Sequence, residues 1–183
     1  MLSELSKNLI HKIEDLEAQA AVAVLLKIED GKIQVLFVNR AEKSSDPWSG
    51  QTGLPGGKRD LQDKDIMSTV LRETLEETNI NLLNGYRFLG IIEPFGSIQK
   101  PEMKIVPFFF IQNKEQNIKL NEELTGFFWA PLKELIKHEG NVIYGFTEYP
   151  CYIFGNRVIW GLTYRIINKF LSILLIIEKS KGK

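Results

Sequence analysis

A chain of 183 residues, 44% hydrophobic and 25% charged, is sized for one globular domain with a substantial core, and two independent cores would be crowded. Lysine plus arginine equals aspartate plus glutamate at 23 each, so no global field draws the protein to nucleic acid or an anionic membrane, and any phosphate binding must be local. The single Cys151 excludes an internal disulfide and reads as a buried apolar residue in a reducing compartment. The first residues carry an acid, Glu4, and no apolar run of signal-peptide length, so the expected location is cytoplasmic.

In chain order, Leu5, Leu9, Ile10, Ile13 and Leu16 recur at helical spacing and predict an amphipathic N-terminal helix within residues 1–18. Ala20 to Ile28 and Lys32 to Arg40 are β-rich runs joined by Glu29-Asp30-Gly31, a hairpin. Arg40, at a strand end facing a glycine-rich stretch, is a candidate for a substrate phosphate. Ala41 to Gln51 reads as a loop, in which Trp48 either covers the loop or stacks on a base. Tyr86 to Glu93 and Met103 to Ile111 read as strands with a turn at Pro94-Phe95-Gly96-Ser97, and Pro107 predicts a bulge or an edge. Pro131 suits a helix start, so Leu132 to His138 should be a short helix. His11 and His138 have no nucleophile or ligand cluster beside them. Tyr144 to Phe154 is aromatic-rich and reads mainly as core, with a pocket for a base or an extended arm as the alternative. Residues 157–178 predict a last helix and a candidate homodimer face; Arg157, Arg165, Asn168 and Lys169 interrupt it too often for a membrane span. Hairpins around one central helix point to an α+β fold.

That central helix follows Leu54-Pro55-Gly56-Gly57-Lys58-Arg59-Asp60 and contains Arg72-Glu73-Thr74-Leu75-Glu76-Glu77-Thr78. At 100° per residue, Glu73, Glu76 and Glu77 share about one quadrant. Met67, Val70, Leu71, Thr74, Leu75 and Thr78 lie on the opposing face, so the expectation is that this face packs and the acids stay free. Three carboxylates so close repel one another unless cations neutralise them. Hard divalent ions, Mg²⁺ or Mn²⁺, are the natural partners, and Mg²⁺ usually shares its shell with substrate phosphates. Those phosphates would also meet Lys58, Arg59 and the backbone of Gly56 and Gly57. Arg72 stands one turn before Glu76 and can pair with it.

Gly57 to Ile80 resembles the Nudix box, in which a glycine is followed at fixed spacing by Arg-Glu, two further glutamates and a helix-ending glycine. Here the box is one residue longer, Asn79 replaces the last glycine, and Thr74 replaces an apolar residue. Asn is the non-glycine residue that best tolerates a left-handed terminating position. The lengthened box, with Arg40 and Gly50-Gln51-Thr52-Gly53-Leu54-Pro55 upstream, is similar to that of the coenzyme A pyrophosphatase branch. The resemblance implies an α/β/α sandwich around a mixed β-sheet, and a Mg²⁺- or Mn²⁺-dependent hydrolase cleaving the diphosphate bridge of a nucleoside diphosphate derivative. Coenzyme A is the leading substrate; ADP-ribose, dinucleotides and oxidised nucleotides are alternatives, and a non-catalytic nucleotide sensor is the alternative of another class. It implies metal ligation by Glu73, Glu76, Glu77 and the Gly57 carbonyl. It further implies proton transfer by one of Glu73, Glu77 or Glu123, the last a late-domain glutamate that completes the site in some family members, with Glu122 next for that role. The 3′-phosphate of coenzyme A would fall to Arg40, Lys43 or Arg59.

Overall fold

The computed structural model describes residues 2–13, 16–42, 49–96 and 102–181. Its centre is β1 (Ala20–Glu29), hydrogen-bonded antiparallel to β2 (Lys32–Arg40) and parallel to β7 (Lys104–Gln112). Asp30 and Gly31, both at positive φ, close the β1–β2 hairpin. The sheet extends through the short β3 (Thr52–Gly53) and β4 (Gly56–Lys58), through β5 (Tyr86–Ile91) and β6 (Phe95–Gly96), and through β8 (Leu124–Pro131), which pairs with β2.

Alternation along β1 explains the layers. Ala21, Ala23 and Leu25 face one side, packing with Ile66 and Val70 of α2 (Ile66–Thr78), while Val24 and Leu26 face the other. The second side is covered by α1 (Leu2–Lys7), α3 (Leu132–Lys137) and α4 (Gly161–Lys181), which supply Leu5, Leu135, Ile167 and Phe170. Because both faces of the sheet are covered, its central strands read as continuous apolar runs. This is the expected α+β sandwich of helices about a mixed sheet.

Several elements differ from the sequence reading. The N-terminal helix ends at Lys7 instead of continuing to residue 18. The Asn8 side chain donates to the Glu4 carbonyl at 2.8 Å, and Ile10 then exchanges two backbone hydrogen bonds with Ile91, so the chain leaves the helix to pair with the end of β5. Leu5 and Leu9 reach the same core from two conformations. Pro107 lies in an interior strand, at the interval where the partner of β7 changes from β5, paired at Phe108, to β6, paired at Ile105.

The helix expected over 157–178 begins only at Gly161. Arg157–Trp160 is a strand, β11, which joins β9 (Glu139–Tyr144) and β10 (Thr147–Phe154) in a second, three-stranded sheet. Phe154 pairs with Arg157 across a two-residue loop, Gly155-Asn156, with Gly155 at φ 61°, the first central position that a type II′ hairpin requires. Of the aromatic stretch from Tyr144, Tyr152 is core, whereas Tyr144 and Phe146 are exposed.

Candidate active site

Helix α2 is set by its ends. Asp65 caps its N-terminus by accepting from the Ser68 N–H at 2.7 Å. Asn79 closes the other end at φ 61°, its own N–H bonded to the Leu75 carbonyl, so the asparagine takes the terminating role expected of it. The buried residues are Ile66, Thr69, Val70, Thr74, Glu77 and Thr78, whereas Leu75 is exposed. The expectation of free acids opposite a packed face is therefore corrected: Glu77 is on the packed face, with 3% of its side chain exposed.

What Glu77 packs against is the glycine pair. Gly56 sits at φ 141°, and a Cβ there would lie 2.2 Å from the Ala21 carbonyl oxygen, so only glycine lets β4 approach β1 this closely. The freed Gly56 N–H donates to Glu77 Oε2 at 2.8 Å. A Cβ on Gly57 would lie 2.4 Å from the carboxyl carbon of Glu73. The two glycines thus form a seat on which Glu73 and Glu77, one helical turn apart, both rest.

Arg72 organises the outer side. It donates to both carboxylate oxygens of Asp63 (3.0 and 2.8 Å), to the Lys58 carbonyl (3.1 Å), to Glu73 (2.8 Å) and to Glu76 (3.1 Å). Asp63 also accepts from the Asp60 N–H and the Thr69 hydroxyl. The Arg72 guanidinium holds the Asp63 carboxyl well below the usual carboxylate range. The pairing of Arg72 with Glu76 was expected; the Asp63 clamp was missed, because it depends on a loop folding back on the helix.

A cavity of about 460 Å³ opens over the seat. Glu73, Glu77, Glu123, Arg40, Lys58 and both glycines line it, with Met103, Ile105, Trp160, Leu162 and Ile166 forming an apolar wall that sequence reasoning missed. Glu122 and Glu76 do not line it, and Glu76 is 55% exposed beside Arg72. Arg59 also stands apart, its guanidinium donating to the Asp63 and Lys64 carbonyls. Lys43 and Trp48 lie outside the described residues.

Electrostatics in the cavity are unfavourable to its own acids. Burial pushes the Glu77 carboxyl up to about 7, against the opposing pull of the Gly56 N–H and of Arg40 at 3.8 Å, with Glu73 and Glu123 adding like-charge repulsion. Burial likewise raises Glu73, against Arg72, with Glu76 and Glu123 adding repulsion. Three acids around one cavity, two of them penalised for carrying charge, are a donor set suited to a hard cation. Among the described residues no three acidic, histidine or cysteine side chains converge at metal-ligand spacing, and Glu73 and Glu76 are both paired with Arg72.

A glycine seat and a cavity lined by three acids therefore lie together within a helix-sheet-helix sandwich. The chain belongs to the Nudix family: residues 17–147 match the NUDIX domain. It is 29% identical over 169 residues to the mitochondrial coenzyme A diphosphatase of Homo sapiens, which covers 86% of this chain and 70% of that protein. It is 35% identical over 113 residues to an uncharacterized protein of Schizosaccharomyces pombe, covering 57% of this chain but only 34% of that protein's length. Among solved structures, a Nudix hydrolase of M. smegmatis, RenU, superposes with a TM-score of 0.61 at 13% identity, covering 87% of each chain, a likeness of fold alone.

Proposed function

We propose that this protein hydrolyses the diphosphate bridge of coenzyme A or an acyl derivative, releasing 3′,5′-ADP and a phosphopantetheine. The observation that carries the reading is the division of one cavity into an acidic floor, for a cation-bound diphosphate, and an apolar wall of Met103, Ile105, Leu162 and Ile166, for an uncharged arm. Likeness to the coenzyme A diphosphatase supports the same substrate.

Mg²⁺ or Mn²⁺ would be held by Glu73, Glu77 and the Gly57 carbonyl, and Glu76 would join them only by leaving Arg72. When bound, the ion neutralises phosphate charge and lowers the pKa of the attacking water. The chain's own groups do the rest. Gly56 fixes the Glu77 carboxylate through its N–H. Arg40 and Lys58, both lining the cavity, meet phosphate oxygens. Arg59 would join them only by leaving its loop carbonyls. The proton of the attacking water passes to one of the three lining carboxylates, Glu73, Glu77 or Glu123. A reducing, cytoplasmic setting belongs to the proposal and suits the free, buried Cys151. No helix among the described residues is long and apolar enough to cross a membrane.

A substrate panel tests the reading. Coenzyme A, ADP-ribose, NADH and diadenosine polyphosphates are each incubated with Mg²⁺ or Mn²⁺ and the products identified by mass spectrometry. Coenzyme A is expected to have the highest kcat/KM. A higher value for ADP-ribose or a dinucleotide would transfer the assignment to a general nucleoside-diphosphate hydrolase, and turnover of none would leave a nucleotide sensor.

A further inference from the structure

A second cavity, of about 390 Å³, adjoins the acidic one and shares Gln51, Thr52 and Trp160 with it. Its other polar groups are Asn39, Asn156 and Arg157, and among the described residues no carboxylate lines it. Two neighbouring chambers thus differ in kind: one collects acids, and the other offers amides, a hydroxyl and a cation.

Arg157 lines this second cavity. Among the described residues it forms no ion pair; its guanidinium instead lies 4.4 Å from the centroid of the Phe128 ring. Phe128 also stacks with Phe37 (5.4 Å) and with Phe154 (5.6 Å). Stacking occupies the face of a guanidinium and leaves the N–H donors around its edge for a planar or tetrahedral anion. The β10–β11 hairpin that carries Asn156 and Arg157 lies beyond residue 147, where the match to the family domain ends. The chamber is therefore completed by residues outside the matched range.

We propose that Arg157, aided by Asn39 and Asn156, binds a phosphomonoester on the nucleoside half of the substrate, the 3′-phosphate in the case of coenzyme A. The inference rests on the coenzyme A reading and moves recognition of that phosphate away from Arg59, which is bound to loop carbonyls, to a residue of the second sheet. Sharing of Gln51, Thr52 and Trp160 lets one ligand span both chambers, its diphosphate over the glutamates and its ribose phosphate against Arg157.

The test compares the wild type with Arg157→Gln on coenzyme A and dephospho-coenzyme A, and measures calorimetric binding of 3′,5′-ADP and 5′-AMP without turnover. A charge-assisted contact of this kind predicts that the variant raises KM for coenzyme A by about tenfold or more, with kcat and the dephospho-coenzyme A values little changed. The wild type should prefer 3′,5′-ADP over 5′-AMP and the variant should lose that preference. Arg157→Lys, which keeps the charge and not the flat edge, should fall between. Equal effects on both substrates, or none, together with an unchanged binding preference, would overturn the inference while leaving coenzyme A turnover standing. Arg157-dependent binding of 3′,5′-ADP by a protein that cleaves no coenzyme A would sustain the chamber and overturn the substrate.

Discussion

Replacing Glu77 by Gln should make the metal-free protein more stable at alkaline pH while removing its activity. Glu77 is 3% exposed, and burial raises its carboxyl from an ordinary 4.5 to about 7. Because the folded pKa exceeds the unfolded one, the native state holds an extra proton between those values. That contribution is fully present below pH 4.5 and is lost as pH rises through about 7. Each pH unit of elevation is worth about 1.4 kcal/mol, so ionising Glu77 in the folded protein costs about 3 kcal/mol by pH 8 to 9. Gln keeps an oxygen to accept the Gly56 N–H and carries no charge. In EDTA, urea unfolding of the wild type should weaken between pH 5 and 8.5 by up to about 3 kcal/mol beyond any change in Glu77→Gln. Added Mg²⁺ should recover much of this in the wild type alone, since a ligand that binds only the folded state stabilises it. Parallel pH profiles for the two proteins, or a variant less stable at pH 8.5, would refute the reasoning.

Gly57→Ala would put a Cβ 2.4 Å from the Glu73 carboxyl carbon, so kcat should fall by about a hundredfold with circular dichroism unchanged. Asp63→Asn breaks a clamp whose carboxylate is 5% exposed, and urea unfolding at pH 7 should show a loss of about 2–4 kcal/mol. Since the folded pKa of Asp63 is depressed, this gap should close as pH falls below 3.8. Thr74 is fully buried and its hydroxyl has no hydrogen-bond partner among the described residues, so Thr74→Val should raise stability by about 1 kcal/mol in the same assay.

The parts of the fold carried by local pattern could be read from the sequence. Lys32–Arg40, between an Asp-Gly turn and a polar loop, has the expected bounds as β2. The capped helix from Asp65 to Asn79 is equally local. Periodicity failed where one spacing serves two conformations: Leu5 and Leu9 meet the same core although the helix ends between them. At Arg157–Trp160 the apolar run after Arg157 was absorbed into the following helix, although Phe154-Gly155-Asn156-Arg157 carries a two-residue hairpin signal. The seat showed only in part. Motif spacing singled out Glu73 and Glu77, but a helical wheel treats glutamate as surface, and the burial of Glu77 comes from β4 closing against it. The Asp63 clamp depends on a loop folding back on the helix, and the Trp160 wall on contacts distant in sequence, neither of which composition encodes.

The account holds that Glu73 and Glu77 tolerate burial because a divalent ion belongs between them and a diphosphate. Titration of the wild type with Mn²⁺, followed by the loss of free-ion signal in electron paramagnetic resonance, addresses this without relying on a substrate. Saturable binding that is abolished in Glu73→Gln and Glu77→Gln is expected. Folded wild-type protein that leaves the Mn²⁺ signal unchanged, or variants that bind it as the wild type does, would contradict the account.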